Sequence, residues 1–400
     1  MSSSATQKTF APPVMEARRW LDGVDFPPER PLINVSQAAP VDLPPEPLRR
    51  AMADIALNEP QAHLYGPVLG LPELRREIAE SWSAAYGASI APSQVAITSG
   101  CNQAFAASIS AIAEEGDNVL LPAPWYFNHK MWLDMAGVTA IALPTNAKLL
   151  PDVDAAREKI TERTRAISLV TPNNPAGVEY PADLVLAFFE LAQEHGIKLI
   201  VDETYRDFHS QTGAPHALFQ QDNWQGTLIH LYSFSKAYRL TGHRVGAIVT
   251  SANVLGEVEK FLDTVNICPN QMAQFSALWG MQNLGDWLRG ERLEILNRRA
   301  AIEANMPMLA EKGWTLKGCG AYFAYLEHPF EIPSDQLAKT LVKDASILAL
   351  PGTMFMPDDD PSAARHLRIA FANIDANGIA KLFTRLAALR FSLAPSQRGK

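Results

Sequence analysis

The chain has 400 residues, a net charge of −8, 20% charged and 47% hydrophobic residues, a composition that excludes a disordered or fibrous protein and predicts one large domain with a smaller one. An acidic balance with no long Lys/Arg run excludes nucleic acid as a partner, and no apolar run approaches the roughly 18 residues of a membrane span. Cys101, Cys268 and Cys319 are odd in number and far apart, and Met1 to Phe10 lack an apolar signal core, which points to a reducing, cytoplasmic compartment and to no metal site.

Residues 1–45 are broken by Pro12, Pro13, Pro27, Pro28, Pro31, Pro40, Pro44 and Pro45, so they read as an arm packing on something else, with one short strand near Ile33-Asn34-Val35. A first helix is predicted from Pro47 to about Leu57. After the loop His63-Leu64-Tyr65-Gly66-Pro67 comes a second helix, Pro72 to Tyr86, whose leading proline suits the first helical position. From residue 95 short apolar runs alternate with helical stretches. Strands are predicted at Val95–Thr98, Asn118–Leu121, Thr139–Leu143, Ala166–Val170, Lys198–Val201, Thr227–Tyr232 and Val245–Thr250, with helices at about 102–114, 127–136, 182–194 and 253–264. That alternation predicts an α/β fold in three layers, a mainly parallel seven-stranded sheet covered on both faces. Beyond about 270 the pattern shifts to long helices, near 271–283 and 287–311, and then to mixed strand and helix. The division is therefore an arm over 1–45, a large domain over 46–285 and a small α+β domain over 286–400.

In such a sheet ligands bind beyond the carboxyl ends of the strands, and chemistry-bearing residues gather there in the sequence. Thr98-Ser99-Gly100-Cys101-Asn102 is a small-residue turn entering a helix, where free N–H groups and the helix dipole favour an anion. Trp125 and Tyr126 put aromatic rings at the same edge, to stack on a flat heterocycle or simply to pack. Thr171-Pro172-Asn173-Asn174-Pro175 is explained by turn chemistry, yet leaves two side-chain amides at a strand end. Asp202 ends an apolar run and Tyr205 follows by three residues; the carboxylate either pairs with a cation such as a protonated ring nitrogen or caps the next helix.

Ser233-Phe234-Ser235-Lys236 ends the run Leu228 to Tyr232, with Arg244 and Gly246 following. A lysine buried there has its pKa pushed down and becomes a nucleophilic amine; otherwise it is a half-exposed lysine on a serine-rich loop. The Ser233 and Ser235 hydroxyls with Arg244 suit a phosphate dianion. An amine beside a phosphate pocket points to pyridoxal phosphate. Near the end, Arg368 lies on the alternating strand His366 to Phe371 and is either a bidentate clamp for a carboxylate or a surface ion-pair member.

Taken in order, these residues resemble the class I/II aminotransferases, the aspartate-aminotransferase-like branch of fold type I pyridoxal-phosphate enzymes, over about residues 31–392. The resemblance implies that Lys236 is the catalytic lysine that bonds the cofactor. Gly100, Cys101, Asn102, Ser233, Ser235 and Arg244 would hold its phosphate, and Tyr126 would stack on its ring. Asn174 and Tyr205 would reach its phenolic oxygen and Asp202 its ring nitrogen. Arg368, with Asn174 and Ala38, would meet the substrate. Tyr65, in Tyr-Gly-Pro-x-x-Gly, resembles a tyrosine that reaches the phosphate in a neighbouring subunit, implying a homodimer with shared sites. The implied partners are an amino acid and a 2-oxo acid.

Three departures bear on specificity. Ala38-Ala39-Pro40-Val41-Asp42 stands where the family usually has glycine before Pro-Asp. Asn102 stands where one bacterial aspartate-aminotransferase group carries lysine, which favours a neutral or aromatic donor over aspartate. Trp125 adjoins Tyr126, and a one-residue shift would exchange their roles. Two rival readings share these residues: a carbon–sulfur β-lyase, and a non-catalytic protein on the same fold.

Overall fold

The computed structural model describes residues 4–394, so the first three residues of the expected arm and the last six of the expected small domain lie outside the described residues. Strands are numbered along the chain, starting with the short β1 (Ile33–Asn34). The large sheet comprises β2 (Val95–Thr98), β3 (Asn118–Pro122), β4 (Thr139–Leu143), β5 (Thr164–Val170), β6 (Lys198–Asp202), β7 (Leu228–Ser233) and β8 (Gly246–Val249), in the order β2-β8-β7-β6-β5-β3-β4. Pairing is parallel from β4 through β7, whereas β8 runs antiparallel to both β2 and β7. The reversal follows from chain length. Only residues 234–245 separate β7 from β8, too few for a parallel crossover and enough for a return.

Strand residues alternate between two cores, which is why each strand reads as a continuous apolar run. Ile97, Leu120, Leu169, Leu199 and Val201 face one core with the helices Pro72–Tyr86, Ala182–Glu194 and Gln271–Asn283. Val119, Leu121, Ile200, Leu231 and Ile248 face the other, with Cys101–Ile112 and Ala252–Asn266. In the helix Pro72–Tyr86, Leu74, Ile78, Trp82 and Tyr86 repeat at helical spacing and are all buried. Each buried side chain of this size contributes about 1.5–3 kcal/mol.

Two further sheets follow. β9 (Thr315–Gly320), β10 (Phe323–Glu327), β12 (Leu350–Pro351) and β13 (His366–Ala370) form an antiparallel sheet, and β1 pairs in parallel with β11 (Ile347–Leu348). A separate core gathers Ile33, Val35 and Ala38 from the arm with Ile302, Phe323, Leu337, Ile369 and Leu382. The 26-residue helix Gly285–Ala310 begins against the large core at Trp287 and Leu288 and ends in this one at Ile302 and Leu309.

This topology decides where chemistry can collect. Because β2, β3, β5, β6 and β7 share one direction, Gly100, Tyr126, Asn174, Asp202 and Lys236 all lie at or just past strand ends on one edge. Behind that edge Glu203 is fully buried, receiving hydrogen bonds from Tyr86 Oη and from His230 Nε2, the latter at 2.7 Å. Burial pushes its carboxyl up, but His216 and His230 outweigh that and hold it well below the usual carboxylate range. The contacts tie the loop after Asp202 to the helix Pro72–Tyr86 and to β7.

Candidate active site

At the strand-end edge lies a cavity of about 520 Å³, closed on the far side by the arm and by β13. Ala38, Cys101, Asn102, Tyr126, Asn174, Asp202, Tyr205, Ser233, Ser235, Lys236, Arg244 and Arg368 all line it. The sequence separates these residues by up to 330 positions; the sheet brings them to one wall.

Lys236 sits in the short helix Phe234–Ala237 just past β7, and its Nζ donates to the Ala38 carbonyl at 2.6 Å. Burial, with the charges of Arg244 and Arg368, lowers its pKa from 10.5 to about 8. The Ser233 hydroxyl accepts from Ser235 N–H at 3.2 Å and so caps that helix as well as lining the cavity. Arg244 Nη1 donates to Ser235 Oγ at 3.2 Å and to the Thr241 carbonyl at 3.1 Å.

Arg244 adopts φ +54°, an uncommon left-handed conformation for a residue with a Cβ. Its guanidinium lies over Gly100, where a Cβ would stand 2.1 Å from Nη2. Gly246 is constrained likewise: a Cβ there would fall 2.9 Å from the Cys101 nitrogen. The result is a concavity of backbone N–H groups at a helix start, facing a guanidinium and a hydroxyl. That is a donor set for a phosphate.

Asp202 ends β6, and its carboxylate accepts from Thr204 N–H at 2.9 Å while its other oxygen lies 3.3 Å from His129 Nε2. Burial pushes the carboxyl up, but His129 and Thr204 outweigh it and keep it below the ordinary value. The imidazole of His129 is stacked on Phe105 with centroids 3.7 Å apart. Sequence reasoning passed over His129. The available signal was its place three residues after Tyr126 on a helix that starts at the same edge.

Tyr126 lines the cavity and donates from Oη to Asn102 Oδ1 at 3.1 Å, whereas Trp125 is buried in the core behind it. The tyrosine, not the tryptophan, therefore faces the cavity. Tyr205 is buried against Tyr322 and Phe323, and burial holds its phenol well above the ordinary range.

Arg368, on β13, is 2% exposed. Nη1 donates to Asn174 Oδ1 at 3.0 Å and Nη2 to the Ser36 carbonyl, while Nε has no partner. The guanidinium carbon lies 4.8 Å from the ring centre of Phe355 and 5.1 Å from that of Phe323. Burial lowers its pKa to about 10, only partly countered by Tyr205 and Tyr126. Among the described residues no carboxylate pairs with it, so the protein leaves this buried charge without a counter-ion of its own.

Tyr65 is the predicted site residue that the fold leaves apart, 79% exposed and outside the cavity. Ala38 was expected at the substrate, but the rest of the arm's share of the wall was not. Pro13, Val14, Met15, Arg18 and Gln37 also line the cavity, a proximity that no local pattern encodes.

The model for "Aminotransferase class I and II" matches residues 30–386. The chain belongs to that family. It is a transaminase, as are its curated relatives. An aromatic aminotransferase of Arabidopsis thaliana is 29% identical over 345 residues, 83% of this chain and 82% of that protein. An aspartate/prephenate aminotransferase of Thermus thermophilus is 27% identical over 78% of this chain and 80% of that one. Solved aminotransferases share the fold. The Thermus thermophilus aspartate aminotransferase with maleate superposes with a TM-score of 0.84 over 97% of this chain and 99% of its own, at 23% identity. Substrate-bound BacF from Bacillus subtilis gives 0.86 over 98% and 99%, at 24% identity.

Proposed function

We propose that this transaminase uses pyridoxal phosphate in the cavity and moves an amino group between an L-amino acid and a 2-oxo acid, with Lys236 as its catalytic residue. The observation that carries the reading is the buried, carboxylate-free guanidinium of Arg368 in the same cavity as an amine of lowered pKa. The residues present fit the cofactor. Gly100, Cys101, Ser235 and Arg244 would hold its phosphate and Tyr126 would offer a ring face. Asp202, a buried carboxylate, would meet a protonated ring nitrogen, and Asn174 and Tyr205 would meet the phenolic oxygen.

Bound there, the cofactor supplies an aldehyde for the amine and a ring that withdraws electrons from the substrate's Cα. The protein supplies the rest. Lys236 in its neutral form would take the proton from the substrate's Cα, the role of a positioned base whose pKa lies near neutrality. Arg368 grips the α-carboxylate through its planar fork and so fixes which Cα bond faces the amine. Asp202, kept ionised by His129 and Thr204, would stabilise positive charge on a ring nitrogen of the cofactor. The Ala38 carbonyl aims the Lys236 ammonium until the site is loaded. The Pro13, Val14 and Met15 wall suits a neutral or aromatic donor side chain.

We also propose a homodimer. Tyr65 is exposed, as is Leu64 beside it, on a segment joined to Cys268 by the Gly66 N–H. A second copy covering that patch would turn Tyr65 toward the neighbouring site.

The test of the main reading is an absorbance spectrum of the cofactor-loaded protein before and after adding single amino acids without any oxo acid. Conversion of the visible band to the amine form of the cofactor by some donors is expected. No conversion across the panel overturns the reading. A second expectation concerns the cradle. Gly100→Ala puts a methyl group where Arg244 now lies, and loss of one or two charge-assisted hydrogen bonds should weaken pyridoxal phosphate binding about 10- to 100-fold, read by fluorescence titration. Unchanged affinity would remove Gly100 from the phosphate site.

A further inference from the structure

A second cavity, of about 490 Å³, lies where the arm, the edge strand β4 and the helix Ser334–Ala345 meet. Ala140 and Ala142, two residues apart on β4 and so on one face, line its floor, and side chains this small leave space that a branched residue would fill. Trp20, Trp125, Met354 and Met356 line its walls. The catalytic cavity is directly behind: Tyr126 lines that one and Trp125, the residue before it, lines this one. The Trp125 N–H donates to the Phe355 carbonyl at 2.8 Å, which pins the segment carrying Met354 and Met356 to the same partition. Neither indole has a part in the proposed reaction.

Charge in this second cavity has a sign. Lys130 is paired with Asp134. Asp335 and Lys339 stand one turn apart on the helix Ser334–Ala345 and offset each other. Glu16, on the arm helix Pro13–Arg19, and Asp358 remain, and among the described residues neither meets a cation. The aromatic faces favour the same sign of ligand. Lys339 Nζ lies 5.7 Å from the ring centre of Trp20 and Lys130 Nζ 6.0 Å from that of Trp125, the range over which an indole's electron-rich face attracts a cation.

We propose that this cavity is a second binding site, for an organic ammonium with an aromatic body. The ring packs on Trp125 and the two methionines above the alanine floor, and the ammonium lies by Trp20 with Glu16 and Asp358 as its counter-charges. The volume is that of a small-molecule site. A free amino acid is the wrong ligand, because its carboxylate would face those two acids with no unmatched cation to receive it. The site therefore does not duplicate the catalytic cavity, where the charge without a counter-ion is the Arg368 guanidinium.

The test is calorimetric titration of the cofactor-loaded protein with trimethyl(2-phenylethyl)ammonium, whose quaternary nitrogen cannot react with an aldehyde, and with uncharged 2-phenylethanol. The native protein should bind the ammonium about 5- to 10-fold more tightly than the alcohol. Binding should persist in saturating butyrate, which occupies the catalytic cavity. Glu16→Gln combined with Asp358→Asn should remove most of the preference for the ammonium, and Ala142→Leu, which fills the floor, should abolish binding of both compounds. Absence of binding to the native protein, equal affinity for the alcohol, displacement by butyrate, or undiminished binding to Ala142→Leu overturns the assignment. Should Ala142→Leu fail to fold, the charge variant decides, and an unchanged preference there overturns it. None of these readouts depends on turnover, so the assignment and the proposed function fail separately.

Discussion

Replacing Lys236 by alanine abolishes turnover, lowering it by at least about 10⁴-fold, the upper range for a positioned proton-transferring side chain, and removes the visible absorbance of the bound cofactor. Circular dichroism should be unchanged, because the side chain's hydrogen bond in the cavity is to one carbonyl, that of Ala38. A variant that stays yellow and active would refute the assignment. The pH dependence carries the sign of the lowered pKa. In the native protein freed of cofactor, the amine becomes neutral as pH rises through about 8, so the rate of pyridoxal phosphate capture should climb to there and then level off. A lysine at its ordinary value would keep gaining to about 10.4. The same depression means that the unfolded chain binds this proton more tightly than the folded one. Lys236 therefore costs stability at and below pH 8, a cost that fades as pH rises from 8 toward the unfolded value. Lys236→Met, freed of cofactor, should melt no lower than the native protein at pH 7.

Arg368→Lys should reduce kcat/KM by about 10²- to 10³-fold, with KM for the amino donor rising at least as much as kcat falls. Lysine keeps a positive charge but loses the planar fork that meets both carboxylate oxygens, and the loss corresponds to about 3–4 kcal/mol. The buried guanidinium also predicts a response to ligand. Since no carboxylate of the described residues neutralises Arg368 and burial lowers its pKa to about 10, a bound carboxylic acid supplies the missing counter-charge. Added butyrate should therefore raise the melting temperature of the native protein, and not that of Arg368→Lys by the same amount. Equal kcat/KM in the two proteins would place the substrate carboxylate elsewhere.

The sequence carried the local structure well where side-chain spacing dictates it. The helices Pro72–Tyr86, 127–136, 182–194 and 271–283 have the predicted bounds, because each has an apolar face at helical spacing and a turn residue at its end. All seven large-sheet strands were legible as apolar runs, though Thr227 belongs to a helical turn before β7. The direction of β8 was not legible, since strand composition is indifferent to orientation and only the short link after Lys236 decides it.

The same division holds at the site. Residues at strand ends announced themselves, since a polar side chain closing an apolar run needs a reason. Groups that act by facing another element gave no such sign. His129 looks like any polar residue of a helix until Asp202 is opposite it. Tyr126 and Trp125 could not be separated by position alone; the start of the helix Phe127–Ala136 rotates one inward and the other into the core.

The arm's contacts with the rest of the site set a timetable for synthesis. The phosphate end of the cavity is complete once residue 246 is made, Arg244 meeting Ser235 nine residues away and Gly100 144 residues away. The carboxylate end joins Ser36 to Arg368 across 332 residues. A nascent chain can thus build the half that anchors a cofactor while its last strand is still being translated. The half that grips a substrate must wait until residue 370 has left the ribosome and β13 has paired. Long-range closure of this kind is slow, so a cofactor-binding form that cannot yet hold an amino acid should precede the finished enzyme.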